Sequence, residues 1–278
     1  MIFNVIGKKG KPVVVLIHGM YNNEKSVLPV AEYLKKDYYV IVPTLDGHYK
    51  GSRHFISKER EALKILRYLK KKNIREVALV QGVDLGAAVA MELARISDIP
   101  INHYFYDSGM FFKTRTQALE KMRKKAQRYV NMCYGKDKGK AYVSVMNDNR
   151  VKLMISSNSA VNTKIITNFV DTARYVSPVT VRNITDTCFN CTMPDFDQVT
   201  QRRMVFFYAK NDVAKKSKKR LKKLYPVADY RDLWGFEHAG FMYSNPEMYA
   251  AYLKNVINNV ENKARREGYG SFDRHISL

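Results

Sequence analysis

The chain has 278 residues, 46% of them hydrophobic, and includes 19 Tyr and 13 Phe. This composition supplies a large apolar core and excludes an intrinsically disordered binder. The length favours one large domain with an insertion over two independent domains. Lys and Arg number 48 against 26 Asp and Glu, a formal net charge of +22, which indicates either an anionic partner or a lysine-rich solvated surface.

Short apolar runs alternate with helix-periodic segments in the first part of the chain. Runs typical of buried strands lie at 13–17, 38–42, 77–80 and 101–106, and helical spacing occurs at 26–36, at 57–72 and after Gly86. The alternation then breaks, and helices are predicted at 116–133, 138–147 and 160–176, followed by a loop-like stretch to Asp197. Strands at 204–208 and 228–234 and a helix at 246–263 complete the pattern.

This order predicts an α/β protein with a mostly parallel sheet flanked by helices. We assign residues 1–108 and 201–278 to the α/β core and residues 109–200 to an inserted helical cap. No apolar run reaches the roughly 18–20 residues that cross a bilayer, and charge stands where a signal peptide has its apolar core. We therefore expect a cytoplasmic protein without a membrane span.

The segment 76–91 contains the most informative motif of the chain. An apolar strand leads into Gly82-Val-Asp84-Leu-Gly86, and an apolar helix follows. This is the pattern of a nucleophile elbow, a sharp strand-to-helix turn that exposes its central side chain above a sheet. The two glycines leave room for the close backbone contacts of such a turn. The central residue is usually Ser, and here it is Asp84.

Four further segments stand at predicted strand ends. In chain order they are His18-Gly19, Leu45-Asp-Gly47-His48, Tyr208-Ala-Lys-Asn-Asp212 and Phe236-Glu-His238-Ala-Gly240. Together with the elbow, these segments resemble the α/β-hydrolase fold superfamily over the whole core. The resemblance implies a hydrolase with a catalytic triad and an oxyanion hole.

The same resemblance implies a role for each position. Asp84 would be the nucleophile, His238 the general base, and Asp212 the acid that orients the imidazole. The backbone N–H groups of Met20 and Leu85 would form the oxyanion hole. No cofactor and no metal are implied.

Two other residues of these segments need separate treatment. Asp107 ends the strand before the insertion, where some α/β-hydrolase relatives place the acid, so it competes with Asp212 for that role. The spacing between Asp212 and His238 suits the more common arrangement and favours Asp212. His18 is expected to shape its loop rather than to transfer protons.

An aspartate at the elbow changes the expected chemistry. A carboxylate that attacks an acyl carbon forms a reactive mixed anhydride, whereas attack on an sp³ carbon opens an epoxide or displaces a halide and leaves an alkyl-enzyme ester. Water activated by His238 would then hydrolyse the ester. The chain resembles epoxide hydrolases and haloalkane dehalogenases of this fold in having Asp here. It differs in having Leu85 where they usually have Trp and Tyr21 where they commonly have Pro.

A second hypothesis stays open at this point. The rest of the core resembles serine-dependent bacterial hydrolases, in which Ser-Leu-Gly or Ser-Met-Gly completes the elbow. Replacement of that serine by Asp84 would leave a pseudoenzyme, a ligand-binding protein or an altered inactive variant. The fold does not decide between a working Asp84 and a lost serine.

The positive charge is concentrated in two segments. Residues 113–140 contain ten basic and two acidic side chains, and residues 210–223 contain eight basic and one acidic. Both are interpreted as amphipathic helices with solvated lysines, which an anionic partner could use. No specific nucleic acid is expected because no nucleic-acid motif accompanies the charge, and the expected substrate is a small molecule.

The spacing of Cys188-Phe-Asn-Cys191 is that of a redox pair or of half a metal site. A structural zinc needs four ligands, and the nearby sequence offers no His and no second Cys pair. We therefore expect two reduced cysteines near the core.

Overall fold

The computed structural model describes residues 1–149, 151 and 159–258. Its strands are β1 Ile2–Ile6, β2 Val13–Ile17, β3 Tyr39–Thr44, β4 Leu79–Val83, β5 Tyr104–Asp107, β6 Met204–Ala209 and β7 Asp229–Leu233. They form one sheet in the order β1-β3-β2-β4-β5-β6-β7. From β3 to β7 across the sheet all pairs are parallel, and β1 pairs antiparallel with β3 at one edge. The predicted α/β class is confirmed, although the sequence analysis missed β1.

The α-helices are α1 Leu28–Leu34, α2 Lys58–Lys71, α3 Leu85–Ile96, α4 Thr116–Asn131, α5 Lys138–Asn147, α6 Ser159–Ala173, α7 Pro178–Phe189, α8 Gln198–Gln201, α9 Lys218–Leu224, α10 Gly240–Ser244 and α11 Pro246–Asn258. Two short 3₁₀ helices lie at Glu24–Ser26 and Val213–Ser217. The predicted end of the last helix, 259–263, lies outside the described residues. Within the described ranges, no helix is long and apolar enough to cross a membrane.

Helices cover both faces of the sheet, and the sequence of β2 reflects this. Val13, Val15 and Ile17 pack into the core on the side of α2 and α3, while Val14 and Leu16 pack on the side of α1 and α11. Because successive side chains of a strand point to opposite faces, a strand covered on both sides must be apolar throughout. That is why the central strands appear as unbroken apolar runs.

The prediction of a loop-like stretch up to Asp197 was wrong in part, because α7 lies within it. The side chain of Ser177 accepts a hydrogen bond from the N–H of Thr180, and Pro178 occupies the first turn, so the helix has a regular start. Val181, Ile184 and Cys188 are buried on one side of the helix. The Asn and Thr residues between them concealed this periodicity.

The inserted segment packs helix on helix. α4 contacts α7, α7 contacts α3 of the core, and α5 contacts α6. These contacts suit an inserted unit, and the division into a core of 1–108 and 201–278 and a cap of 109–200 stays a prediction.

The second basic segment is not the single helix that was predicted. It begins as a loop, continues as the 3₁₀ helix Val213–Ser217 and ends as α9. Leu221 is buried as expected, whereas Leu224, placed on the same apolar stripe, is exposed.

Candidate active site

Asp84 occupies a strained turn between β4 and α3. Its backbone angles, φ 52° and ψ −110°, are sparsely populated by residues with a side chain. The backbones close around it so tightly that a Cβ on Gly82 would lie 2.2 Å from the carbonyl oxygen of Gly86. A Cβ on Gly86 would lie 2.3 Å from the carbonyl oxygen of Ile17. The predicted strand–turn–helix geometry is therefore present, and only glycine fits on either side of it.

The two oxygens of the Asp84 carboxylate have different surroundings. Oδ2 accepts a hydrogen bond from the N–H of Met20 at 3.1 Å, and the N–H of Leu85 also donates to this carboxylate. Oδ1 is buried and has no hydrogen-bond partner among the described residues. The two N–H groups that the sequence predicts for an oxyanion hole thus already bind the side chain of Asp84.

Burial raises the pKa of Asp84 to about 6. The charge of His238 and the two N–H donors lower this pKa, while the charge of Asp212 raises it. Desolvation prevails because a carboxylate that leaves water loses more free energy of solvation than two neutral N–H donors return. Asp84 is nevertheless ionised at neutral pH.

His238 and Asp212 come together as the sequence predicts. Nδ1 of His238 lies 2.9 Å from Oδ1 of Asp212. The Asp212 side chain also accepts a hydrogen bond from the N–H of Ala214 at 2.8 Å, which holds it at the start of the 3₁₀ helix after β6. This leaves Nε2 of His238 for a water molecule or a substrate, and 39% of the His238 side chain is exposed.

The charges around His238 determine its protonation. Burial lowers its pKa, but the hydrogen bond and charge of Asp212, together with the charges of Asp84 and Asp107, raise it to about 9. The pKa of Asp212 stays below its ordinary value, against the effect of burial, because His238 is its partner. At neutral pH the site therefore contains an imidazolium between ionised carboxylates.

Asp107, the second candidate for the acid, has other partners. It accepts hydrogen bonds from the Tyr249 hydroxyl and the Ser108 hydroxyl, each at 2.8 Å. The Ser108 oxygen in turn accepts from the N–H of Ala239, directly after His238, at 3.1 Å. Asp107 thus borders the site through its neighbours, while the imidazole binds Asp212. The catalytic assignment of either residue stays a proposal.

His18 lies below the site and has the loop-shaping contacts expected of it. Its Nε2 accepts a hydrogen bond from the N–H of Leu45 at 3.0 Å, so Nδ1 carries the proton and donates to the carbonyl of Gly19 at 2.8 Å. Burial lowers the pKa of His18 to about 4, against the hydrogen bond to Gly19. His18 is neutral and fixes the backbone that presents Met20.

The structure also places residues at the site that the sequence analysis did not assign to it. Tyr21, Cys188 and Tyr243 are near enough to Asp84 for its charge to raise their pKa values further, after burial as the main cause. Phe169 of α6 packs edge-on against Tyr21 with ring centroids 6.3 Å apart. The only signal in the sequence was at Tyr21, which stands where relatives commonly have Pro. Cys188 brings α7 close to Asp84, and Phe169 brings α6 against Tyr21.

The cysteines offer neither a disulfide nor a reactive thiol in this structure. Cys133, Cys188 and Cys191 are free and buried. Burial raises the pKa of each thiol, and the charge of Asp84 raises that of Cys188 further. Within the part of the chain that the structure describes, no group of three or more His, Cys, Asp or Glu residues is arranged to hold a metal ion.

Solved structures with this arrangement of strands and helices are numerous. An α/β hydrolase family protein from Desulfitobacterium hafniense superposes with a TM-score of 0.70 at 18% identity, over 92% of this chain and 100% of that one. MenH from S. aureus gives 0.72 at 12% identity, over 94% and 98% of the two chains. A thermophilic esterase from Thermogutta terrifontis gives 0.72 at 15% identity, over 93% of both.

At these identities the comparisons establish the fold and not the activity. The chain has the α/β-hydrolase fold, as the order of its sequence motifs predicts. No protein-family model matches the sequence, and the comparison with curated proteins gives no match.

Proposed function

We propose that this protein hydrolyses a small molecule through nucleophilic attack of Asp84 on an sp³ carbon, with His238 and Asp212 completing a triad. The observation that carries the proposal is the asymmetry of the Asp84 carboxylate. Oδ2 is held by the N–H of Met20, whereas Oδ1 is buried and no described residue donates a hydrogen bond to it. An oxygen that is shielded from bulk solvent and accepts no hydrogen bond from a protein donor keeps its electron density for attack.

In the first step Oδ1 bonds to the substrate carbon and the bond from that carbon to its leaving oxygen breaks. Opening of an epoxide needs a proton at that oxygen. His238 can supply it, because its pKa of about 9 makes it an imidazolium at neutral pH. The products are an alkyl ester on Asp84 and a neutral imidazole.

The second step uses the ester and the neutral imidazole. The negative charge of Asp84 was one cause of the raised His238 pKa, and the ester no longer carries that charge. The pKa of His238 is therefore lower at this stage, and its imidazole stays neutral more readily. It then takes a proton from water, which attacks the ester carbonyl. Oδ2 becomes the oxyanion and already lies against the N–H of Met20. In the collapse the bond from the carbonyl carbon to the alkyl oxygen breaks, and the proton of the hydroxyl that came from water passes to that oxygen. This releases the alcohol and restores the carboxylate, while His238 keeps the proton taken from water and is again an imidazolium.

The leaving group is better matched by an epoxide than by a halide. Enzymes of this fold that release halides usually have Trp after the nucleophile, and Leu85 stands here. The chain has one Trp, and Trp234 is 68% exposed beyond β7. A halide ion would therefore lack an indole N–H at Asp84, whereas an epoxide needs the proton that His238 carries.

The decisive experiment separates the two steps. His238→Ala should form the ester more slowly, because water must then protonate the leaving oxygen, and should fail to hydrolyse it, so intact-mass spectrometry after long incubation with an epoxide panel should show one added substrate mass. In a single turnover of the wild type in heavy-oxygen water, the label should enter Asp84 and not the product, because water attacks the ester carbonyl. Label found only in the product would contradict the covalent step. Asp84→Asn, which matches the shape without the charge, is the control and should gain no mass.

A second candidate is a scaffold that has lost its serine and binds a ligand without turnover. The observation that favours it is that the Asp84 carboxylate already binds the N–H groups of Met20 and Leu85 that an acyl oxyanion would need. Asp84→Ser would vacate them and restore a relay through His238 to Asp212. Hydrolysis of p-nitrophenyl acetate by this variant, abolished by His238→Ala, would support the lost-serine hypothesis if the wild type opens no epoxide. An inert serine variant beside an active wild type would exclude it.

A further inference from the structure

We infer that the edge of the molecule next to the candidate site docks on an anionic lipid surface. The docking surface consists of Lys210, Val213, Lys216, Lys219 and Trp234, and is called the Trp234 surface below. This inference concerns binding and does not depend on the proposed reaction.

The surface exposes apolar side chains that a folded protein usually covers. Trp234 is 68% exposed and Val213 is 64% exposed. Both follow strand ends of the candidate site, Val213 directly after Asp212 and Trp234 four residues before His238. A large indole and an aliphatic side chain facing water at the same end of two neighbouring strands indicate a contact surface.

Lysines lie in the same chain segment as Val213, and one lies against the ring of Trp234. Nζ of Lys210 lies 3.4 Å from the centroid of the Trp234 ring. Asp232 is already bound by Lys215 at 3.3 Å and Lys218 at 2.9 Å, so it removes little of the remaining positive charge. Lys216 and Lys219 are exposed on the same helical segment, and no ion pair to either is present among the described residues.

The charge balance of this edge is strongly positive. Residues 210–237 contain nine basic and four acidic side chains. Exposed Trp beside lysines is the combination that binds the interface of an anionic bilayer, where the ring enters the headgroup region and each ammonium contributes about 1 kcal/mol. A bilayer without anionic lipids would offer the lysines no partner.

A nucleic acid fits the same surface less well. Its exposed cations are lysines, which act as point charges, and not the arginine forks that bind bases and phosphates in pairs. Of the two arginines in 210–237, Arg220 donates instead to the carbonyl oxygens of Phe111 and Cys191, each at 3.0 Å, and Arg231 is paired with Asp229 at 2.8 Å. Val213 adds aliphatic area, which stacking on bases does not use.

The single Trp makes the inference directly measurable. The full chain is mixed with phosphatidylcholine vesicles that contain or lack about 30% phosphatidylserine, and both sedimentation and Trp emission are recorded. We expect binding to the anionic vesicles only, a blue shift of the emission, and loss of both in high salt because exposed charges are screened. Absence of binding to anionic vesicles, or binding without an emission shift, would overturn the inference.

Matched charge variants locate the surface. Loss of one lysine should weaken vesicle binding about fivefold. Lys216→Glu combined with Lys219→Glu should therefore weaken it at least about 20-fold. Lys121→Glu combined with Lys124→Glu makes the same charge change on exposed positions of α4 and should weaken it less than about threefold. The reverse order would overturn the inference, as would a single-stranded oligonucleotide that quenches Trp234 while vesicles fail to compete. Thermal melting of each variant confirms that it is folded.

Discussion

The central elbow and the loop after β6 each hold a carboxylate that is 5% exposed, and the two carboxylates behave in opposite ways. Burial raises the pKa of Asp84 to about 6, whereas the pKa of Asp212 stays below its ordinary value. The difference lies in the partners. Asp212 has the imidazole of His238 at 2.9 Å, whereas Oδ2 of Asp84 has the N–H of Met20 and its Oδ1 has no hydrogen-bond partner in the described part of the chain. Similar burial thus gives carboxylates with opposite pKa shifts, because their partners differ.

Asp107 shows that neutral donors alone do not reproduce the state of Asp212. It accepts two hydroxyl hydrogen bonds, and burial still raises its pKa to about 6. A buried carboxylate in this site therefore stays strongly acidic only when a cation is its direct partner.

The largest effect on turnover is expected from substitution of Asp84 at the elbow. Asp84→Asn keeps the shape and an oxygen for the N–H of Met20 but removes the nucleophile. Turnover of an epoxide should fall on the order of 10⁴-fold or more, since removal of a nucleophile from a triad costs that much. The measurement is the steady-state rate of diol formation. A variant with more than about a tenth of the wild-type rate would show that Asp84 is not the nucleophile.

A smaller effect separates the two other acids. Asp212→Asn should reduce turnover by about 10²–10⁴-fold, because the imidazole loses the partner that fixes its tautomer. Asp107→Asn should reduce it by less than about tenfold, since the Asp107 carboxylate binds Ser108 and Tyr249 and affects His238 only through its charge. Rates of ester hydrolysis after a single alkylation measure this difference. If the Asp107 variant is the slower one, Asp107 is the acid.

The pH dependence of the alkylation rate tests the role of Asp84. Because its pKa is about 6, protonation removes the nucleophile as the pH falls through that value. The alkylation rate of the His238→Ala variant should decrease about tenfold per pH unit below the pKa, which then lies higher because the positive charge of His238 is gone. Mass increase against time between pH 4 and pH 9 measures it. An alkylation rate that does not change between pH 4 and pH 9 would contradict an ionised carboxylate as the nucleophile.

The smallest effect concerns stability, and its sign differs between the two carboxylates. Asp84 has a folded pKa above its unfolded one, so its ionisation destabilises the fold as the pH rises from about 4 to about 6. Asp84→Asn should therefore stabilise the protein at pH 7.5 by about 1–3 kcal/mol. Asp212 has a lowered pKa and contributes stability above its unfolded value, so Asp212→Asn should destabilise at pH 7.5. Urea unfolding of both variants at pH 7.5 and pH 4.5 tests this, and equal signs at pH 7.5 would contradict it.

The fold could be predicted from the sequence because its signals are local. An apolar strand such as Val13–Ile17 and the close glycines around Asp84 carry their structural meaning within a few residues. α7 was missed because Asn and Thr interrupt its apolar side, and β1 because half of an edge strand faces solvent. Local patterns weaken wherever burial is partial.

The candidate residues could be named from the sequence, but their states could not. The order of the motifs by itself determined that Asp84, Asp212 and His238 stand at strand ends of an α/β-hydrolase fold. Only the tertiary structure decided that Oδ2 of Asp84 faces the N–H of Met20 while Oδ1 has no partner among the residues described. The same holds for Cys188 of α7, which the charge of Asp84 affects, and for Phe169 of α6, which packs on Tyr21. Spacing along a chain determines where strands end, whereas protonation and reactivity depend on desolvation and on partners that lie far apart in sequence.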